Sequence, residues 1–203
     1  KKKVSFPHGS QNQVSMGGCC GSKPASDAVL EVQNRGPNSI GIPANLRGKG
    51  VTMIGEDPLS VSGEGAAMAS APIEQDAAYW EVKCVSSGSV GIGVTRKLSP
   101  KDLEGGCESS ADEDPRRQWV MYSKLQEGDS IGIAFSQADM PNLAFTKNGK
   151  STPSYDVRKV PGMVYPVVSV SGGASVKVVF EEEDFENTPP SRFSPLMVAQ
   201  SVL

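Results

Sequence analysis

From residue 29 onward the chain runs in short stretches where apolar and polar residues alternate, cut by glycine, proline, asparagine and serine. The plainest stretch is Tyr79-Trp80-Glu81-Val82-Lys83-Cys84-Val85. Trp80, Val82 and Cys84 share one face of a strand there, and Glu81 and Lys83 take the other. Beyond Ser86-Ser87-Gly88-Ser89, the run Val90-Gly91-Ile92-Gly93-Val94 reads as a second strand, and the two together as a hairpin. Further strands are predicted at residues 51–54, 66–73, 119–122, 130–135, 142–146, 164–170 and 175–180. Asn148-Gly149 is the strongest turn signal in the chain. Many short strands without strand–helix alternation predict an all-β fold with little helix, a sandwich of two antiparallel sheets.

Outside this pattern lie three stretches. Residues 1–26 are polar, rich in glycine and serine, and without period, so they read as a disordered leader; residues 27–203 read as one domain with a C-terminal extension. Residues 99–117 are charged and aperiodic and read as a long surface loop. Residues 187–203 are apolar and broken by proline, and are expected to pack across the sandwich with one short helix after Pro195.

The leader holds Met16-Gly17-Gly18-Cys19-Cys20-Gly21-Ser22-Lys23. Read with Met16 as a start, Gly17 would accept a myristoyl chain and Cys19 and Cys20 would supply the second acyl signal that stable anchoring needs. The serine falls one place late for the usual pattern, and in the chain as written Gly17 is internal. The expected location is cytoplasmic, with peripheral attachment to the cytoplasmic membrane face only if Met16 is the start.

Composition narrows the chemistry. The net charge is −3 with a pI near 5.3 and no basic stripe, which argues against nucleic-acid binding. The single histidine, His8, lies in the leader, so neither serine–histidine nor cysteine–histidine catalysis is expected in the folded body, nor a cysteine–histidine zinc site. Residues 144–151 end in Gly149-Lys150-Ser151 like a phosphate loop, but Thr152-Pro153-Ser154 is poor helix text, so a hairpin is expected there. Gly91 and Gly93 read as places where a backbone or a large side chain comes close. Cys84 is expected in the core. The reading therefore predicts no catalytic residues, no metal and no cofactor.

Several segments resemble the SPRY domain of the B30.2/SPRY superfamily. They are Tyr79-Trp80-Glu81-Val82 with Gly91-Ile92-Gly93-Val94, Gly128-Asp129-Ser130-Ile131-Gly132, Leu143-Ala144-Phe145-Thr146-Lys147-Asn148-Gly149-Lys150, and Tyr165-Pro166-Val167-Val168-Ser169-Val170. Ala69-Ser70-Ala71-Pro72 and Thr188-Pro189-Pro190 extend the likeness toward one branch of that family, from which residues 105–125 depart. The resemblance implies two curved antiparallel sheets, a ligand surface made by loops at one edge, and neither catalysis nor cofactor. A non-catalytic module is thus expected, monomeric alone or a subunit of a complex, binding a peptide or loop of a protein partner. Arg96, Lys97, Trp119 and Tyr122, which bracket the long loop, are its predicted contact residues. The alternative expectation is a permanent structural subunit docked through residues 187–203.

Overall fold

The computed structural model describes residues 39–104, 116–160 and 162–198. The acylation motif at Gly17, Cys19 and Cys20 and most of the long charged loop lie outside them. The strands are β1 (Val51–Ile54), β2 (Asp57–Gly63), β3 (Gly65–Met68), β4 (Ala77–Ser86), β5 (Gly88–Thr95), β6 (Arg117–Leu125), β7 (Ser130–Ser136), β8 (Asn142–Lys147), β9 (Lys150–Ser151), β10 (Val157–Arg158), β11 (Tyr165–Ser171), β12 (Ser175–Val179) and β13 (Ser194–Pro195). Helix among the described residues is confined to three 3-10 turns, Ala44–Leu46, Pro153–Tyr155 and Glu182–Asp184.

The strands form two sheets. The larger runs β1-β2-β12-β4-β7-β8-β10, with β13 added to β4 and β9 to β8; the smaller runs β3-β11-β5-β6. Every strand pair is antiparallel except β13 with β4. Their inner faces make one core, in which Trp80, Val82 and Cys84 of β4 and Val90, Ile92 and Val94 of β5 are all buried. Burial of each such side chain is worth about 1.5–3 kcal/mol for the larger ones. The space between the sheets lined by Ile42, Trp80, Val82, Val168, Val178 and Phe180 is ≈ 10 Å³, at the limit for one water.

Two sequence expectations are corrected. β4 and β5 do not form a hairpin; they sit in different sheets. In one hairpin both apolar faces would lie on the same side of a single sheet, whereas here they meet across the core. The chain passes between sheets at Ser86–Gly88, beside a second crossing from β11 to β12, and a Cβ at Gly88 would strike the backbone of Ala174. The second correction concerns residues 66–73, where ladder pairing stops at Met68. Beyond it Ala69 and Ile73 donate singly to the carbonyls of Pro166 and Val164, at 2.9 Å each. Strand β2, with Pro58 near its start, was not anticipated.

The outer face of the larger sheet is not left to solvent. Glu81 projects from it and is 0% exposed. Its Oε1 accepts from the Tyr79 hydroxyl (2.8 Å), the Asn187 backbone N–H (2.9 Å) and Asn187 Nδ2 (3.0 Å). Its Oε2 accepts from the Glu186 N–H (2.8 Å) and Ser130 Oγ (3.1 Å). Phe185 closes the site edge-on against Tyr79 at 5.1 Å, and Lys83 ties the same segment through the Asp184 carbonyl (2.7 Å) and Glu186 (3.2 Å). Burial, then the Glu81 hydrogen bond and charge, push the Tyr79 phenol far above its usual range, so it remains a donor.

Downstream, the extension runs along β4 as β13, past the point where β12 ends. Gln75 Nε2 donates to Ser194 Oγ and the Pro195 carbonyl (3.0 Å each), Gln75 Oε1 accepts from the Met197 N–H (2.8 Å), and Leu196 is buried. The extension does pack on the sandwich as expected, but residues 196–198 are not helical.

At the Asn148-Gly149 turn both residues have positive φ, 49° and 74°, as a two-residue hairpin of this kind requires. Asp129 braces it, meeting Lys147 Nζ at 2.7 Å and accepting from Asn148 Nδ2 at 2.9 Å. Partial burial raises the Asp129 carboxyl, but Lys147, the Gln126 amide and Asn148 outweigh that and hold it at about 2.

Two outcomes follow from these contacts. Glu81→Gln, which turns an N–H₂ toward donors, should lower unfolding stability by about 3 kcal/mol in urea titration. Because the folded carboxyl of Asp129 titrates below its unfolded value of about 3.9, its contribution is present above about pH 4 and lost as pH falls through about 2. Asp129→Asn should therefore cost about 1 kcal/mol at pH 7, discounted for solvent screening, and the gap from wild type should close in acid.

Candidate binding surface

The sandwich has two unlike ends. At one, the connections are tight: the crossings at Gly88 and Gly172-Gly173, and the Asn148-Gly149 turn. At the other, β5 ends at Thr95, β7 ends at Ser136, and β4, β8 and β11 begin. The described parts of the longer connections gather there: residues 69–76, 96–104 and 116, 137–141, and 159–160 with 162–164.

These connections are tied to one another. Gln137 Nε2 donates to the carbonyls of Ile73 (2.8 Å) and Gln75 (3.3 Å), and the Val160 N–H donates to the Pro141 carbonyl (3.0 Å). Between them lies a cleft of ≈ 360 Å³ lined by Ile73, Glu74, Phe135, Gln137, Pro141, Val160, Gly162 and Met163. Its floor is apolar, because Ile73, Phe135 and Val160 are buried. Its surroundings carry unusual exposed bulk: Met140 is 65% exposed, Met163 61% and Met197 58%. Met140 precedes Pro141, Met163 is itself on the wall, and Met197 is held by Gln75. The described chain also enters here, since Gly41 and Ser70 exchange hydrogen bonds of 2.8 and 3.1 Å.

The four predicted contact residues fall in different places. Arg96 and Lys97 are exposed at this end, just past Thr95, which pairs with Tyr165; the Tyr165 hydroxyl in turn lies 3.9 Å from Met163 Sδ. Trp119 is only 7% exposed. It lies on the outer face of the smaller sheet, over Gly93, where a Cβ would meet the backbone of Gln118 and Trp119 itself. Ala66, Met68, Leu98, Leu103 and Val167 surround it as a second core. Residues 98–104 are thus not the bare surface loop that their charge suggested. Leu103 is wholly buried, and its carbonyl accepts from the Ala66 N–H at 2.9 Å. Tyr122 belongs to the main core, on the opposite face of β6, with Phe145 at 6.5 Å and Tyr155 at 4.8 Å. The structure therefore brings Arg96 and Lys97 to the cleft end, sets Trp119 beneath the loop that follows them, and separates Tyr122 from both.

Other candidate chemistry resolves into packing. Cys84 is buried, and burial, with the Asp129 and Glu127 carboxylates, raises its thiol. Lys150 and Ser151 form β9 of a hairpin, and a single 3-10 turn, Pro153–Tyr155, follows where a phosphate loop needs an α-helix. No group of three or more histidine, cysteine or acidic side chains suited to a metal occurs among the described residues.

The family model described as SPRY domain matches residues 77–183. This chain belongs to the SPRY family. SPRY domain-containing protein 7 of Homo sapiens, and its counterpart in Mus musculus, are each 29% identical to it over 70% of this chain and 76% of the relative. Among solved structures, the Drosophila melanogaster Neuralized NHR1 domain superposes with a TM-score of 0.51 at 12% identity, covering 69% of this chain and 97% of that one. The TRIM65 PSpry domain gives 0.50 at 13% identity, covering 70% and 92%. At such identities the structural likeness speaks for the fold alone, and it agrees with the two antiparallel sheets of this SPRY chain.

The cleft was missed by pattern reasoning. The available signal was the methionines at 140 and 163, large apolar residues set in turn-rich text with no period to bury them. The division between packing and surface is measurable. Trp119→Ala should lose about 3–5 kcal/mol of stability, whereas Arg96→Ala and Lys97→Ala should stay within about 0.5 kcal/mol of wild type in the same denaturation assay.

Proposed function

We propose that this SPRY chain is a non-catalytic interaction module that seats an extended segment or loop of a protein partner in the cleft at its long-loop end. Arg96 and Lys97 stand exposed at that end, while Trp119 and Tyr122 serve as packing residues of the sandwich. SPRY domains are typically protein-interaction modules. The observation that carries the reading is an apolar-floored cleft with Met163, more than half exposed, on its wall and the exposed Met140 next in the chain to the lining Pro141. Exposed apolar side chains gathered at one place mark contact surfaces, and methionine, being flexible and polarisable, adapts to a partner's shape.

The rival reading, a permanent subunit docked through residues 187–203, is disfavoured because Leu196 and β13 are already spent on β4. We further propose a cytoplasmic location. Attachment to the membrane through Gly17, Cys19 and Cys20 is a separate proposal, decided by the intact mass of protein made in its own cells.

The test compares pull-downs of the full chain with those of Met163→Asp and of the Arg96→Ala, Lys97→Ala double variant. A partner held by wild type should bind Met163→Asp at least tenfold more weakly, about 1.4 kcal/mol, with melting unchanged. The double variant should show a smaller loss, mainly in association rate at low salt. A partner held equally by all three places the interface elsewhere.

A further inference from the structure

The polar groups of the cleft restrict what it can hold. Of its lining residues, only Glu74 and Gln137 carry polar side chains. Gln137 is oriented by its own contacts. Its Nε2 is spent on the carbonyls of Ile73 (2.8 Å) and Gln75 (3.3 Å), which need a donor, so Oε1 is the atom left for a ligand. Glu74 is exposed and makes no ion pair among the described residues. The lining side chains thus offer acceptors and no free donor. Asp76 and Asp139, both exposed, stand two residues from Glu74 and from Gln137 and add to the negative field. The nearest cations, Arg158 and Lys159 just before Val160 and Arg96 and Lys97 at the same end of the sandwich, are not part of the lining. An acidic ligand group would meet Glu74 with no side-chain donor on the walls to offset it. A lysine or arginine would find both acceptors.

Resting on the cleft as the partner site, we infer that it selects segments in which a large apolar residue is followed or preceded, within two positions, by lysine or arginine. The apolar side chain covers Ile73, Phe135 and Val160 beside Met163. The basic side chain reaches Glu74 and Gln137 Oε1, a charge-assisted contact at the mouth that sets orientation and weakens with salt.

The test is selection of a displayed library of random twelve-residue peptides on the full chain, followed by titration of the synthetic consensus peptide. The expected consensus pairs leucine, methionine, phenylalanine or isoleucine with a nearby basic residue. Glu74→Lys should bind that peptide at least tenfold more weakly and should recover affinity for its charge-reversed version, with far-UV circular dichroism and melting unchanged. A consensus that is acidic or indifferent to charge, or equal affinity for Glu74→Lys, overturns the inference. Met163→Asp separates this failure from that of the underlying reading. Peptides that need Met163 but ignore Glu74 leave the cleft standing and remove only the charge rule. Peptides that bind Met163→Asp unchanged, or a library that yields no enriched peptide, overturn both.

Discussion

A carboxylate with no water around it must have its hydrogen bonds met by protein, and Glu81 has five donors arranged to do so. Three come from Glu186 and Asn187, more than a hundred residues further along the chain. The outer face of the larger sheet, its central strand β4 and the segment that crosses it are thereby fixed by one side chain. Neighbouring positions obey the same demand. Gly132 has no room for a Cβ beneath the Tyr79 hydroxyl, and a Cβ on Gly149 would come within 3.0 Å of Asn187 Oδ1. The turn braced by Asp129 and the crossing segment thus meet over the same site.

The smaller sheet solves a similar problem with apolar groups. Gly93 leaves a flat place on its outer face, Trp119 lies on it, and Leu98 and Leu103 cover the indole. This second core holds the root of the longest connection against the sheet. Arg96 and Lys97 are consequently presented from a fixed base, beside a cleft whose own walls are cross-tied by Gln137. Rigid support beneath adaptable side chains keeps the ordering cost of binding low.

Much of this was legible in the sequence, and the parts that were not share a cause. Alternation identified the two faces of β4, because a period of two survives in any sheet, and short apolar runs between turn residues located β5, β7 and β11. It could not say which sheet a strand joins, since β4 and β5 present equivalent apolar faces from opposite sides of the core. It set Glu81 on the outer face without its burial, because the cover arrives from residues 185–187. Gly93 did announce a close approach, and Gln118 and Trp119 of β6 are what approach it. Reading Trp119 and Tyr122 as contact residues took the charge of the adjoining loop as a measure of their own exposure, whereas Leu98, Leu103 and Phe145 enclose them. The cleft is assembled from the end of β7 and three connections without period, so only the fold brings it into view.

The chain enters the described fold where Gly41 meets Ser70 and leaves it where Met197 meets Gln75, so both points lie within a few residues of Ile73 on the cleft wall. An element joined at either point is therefore tethered beside the cleft. A second weak contact made by such a tethered element would act at high effective concentration, and could raise or block occupancy of the cleft without altering any residue that lines it.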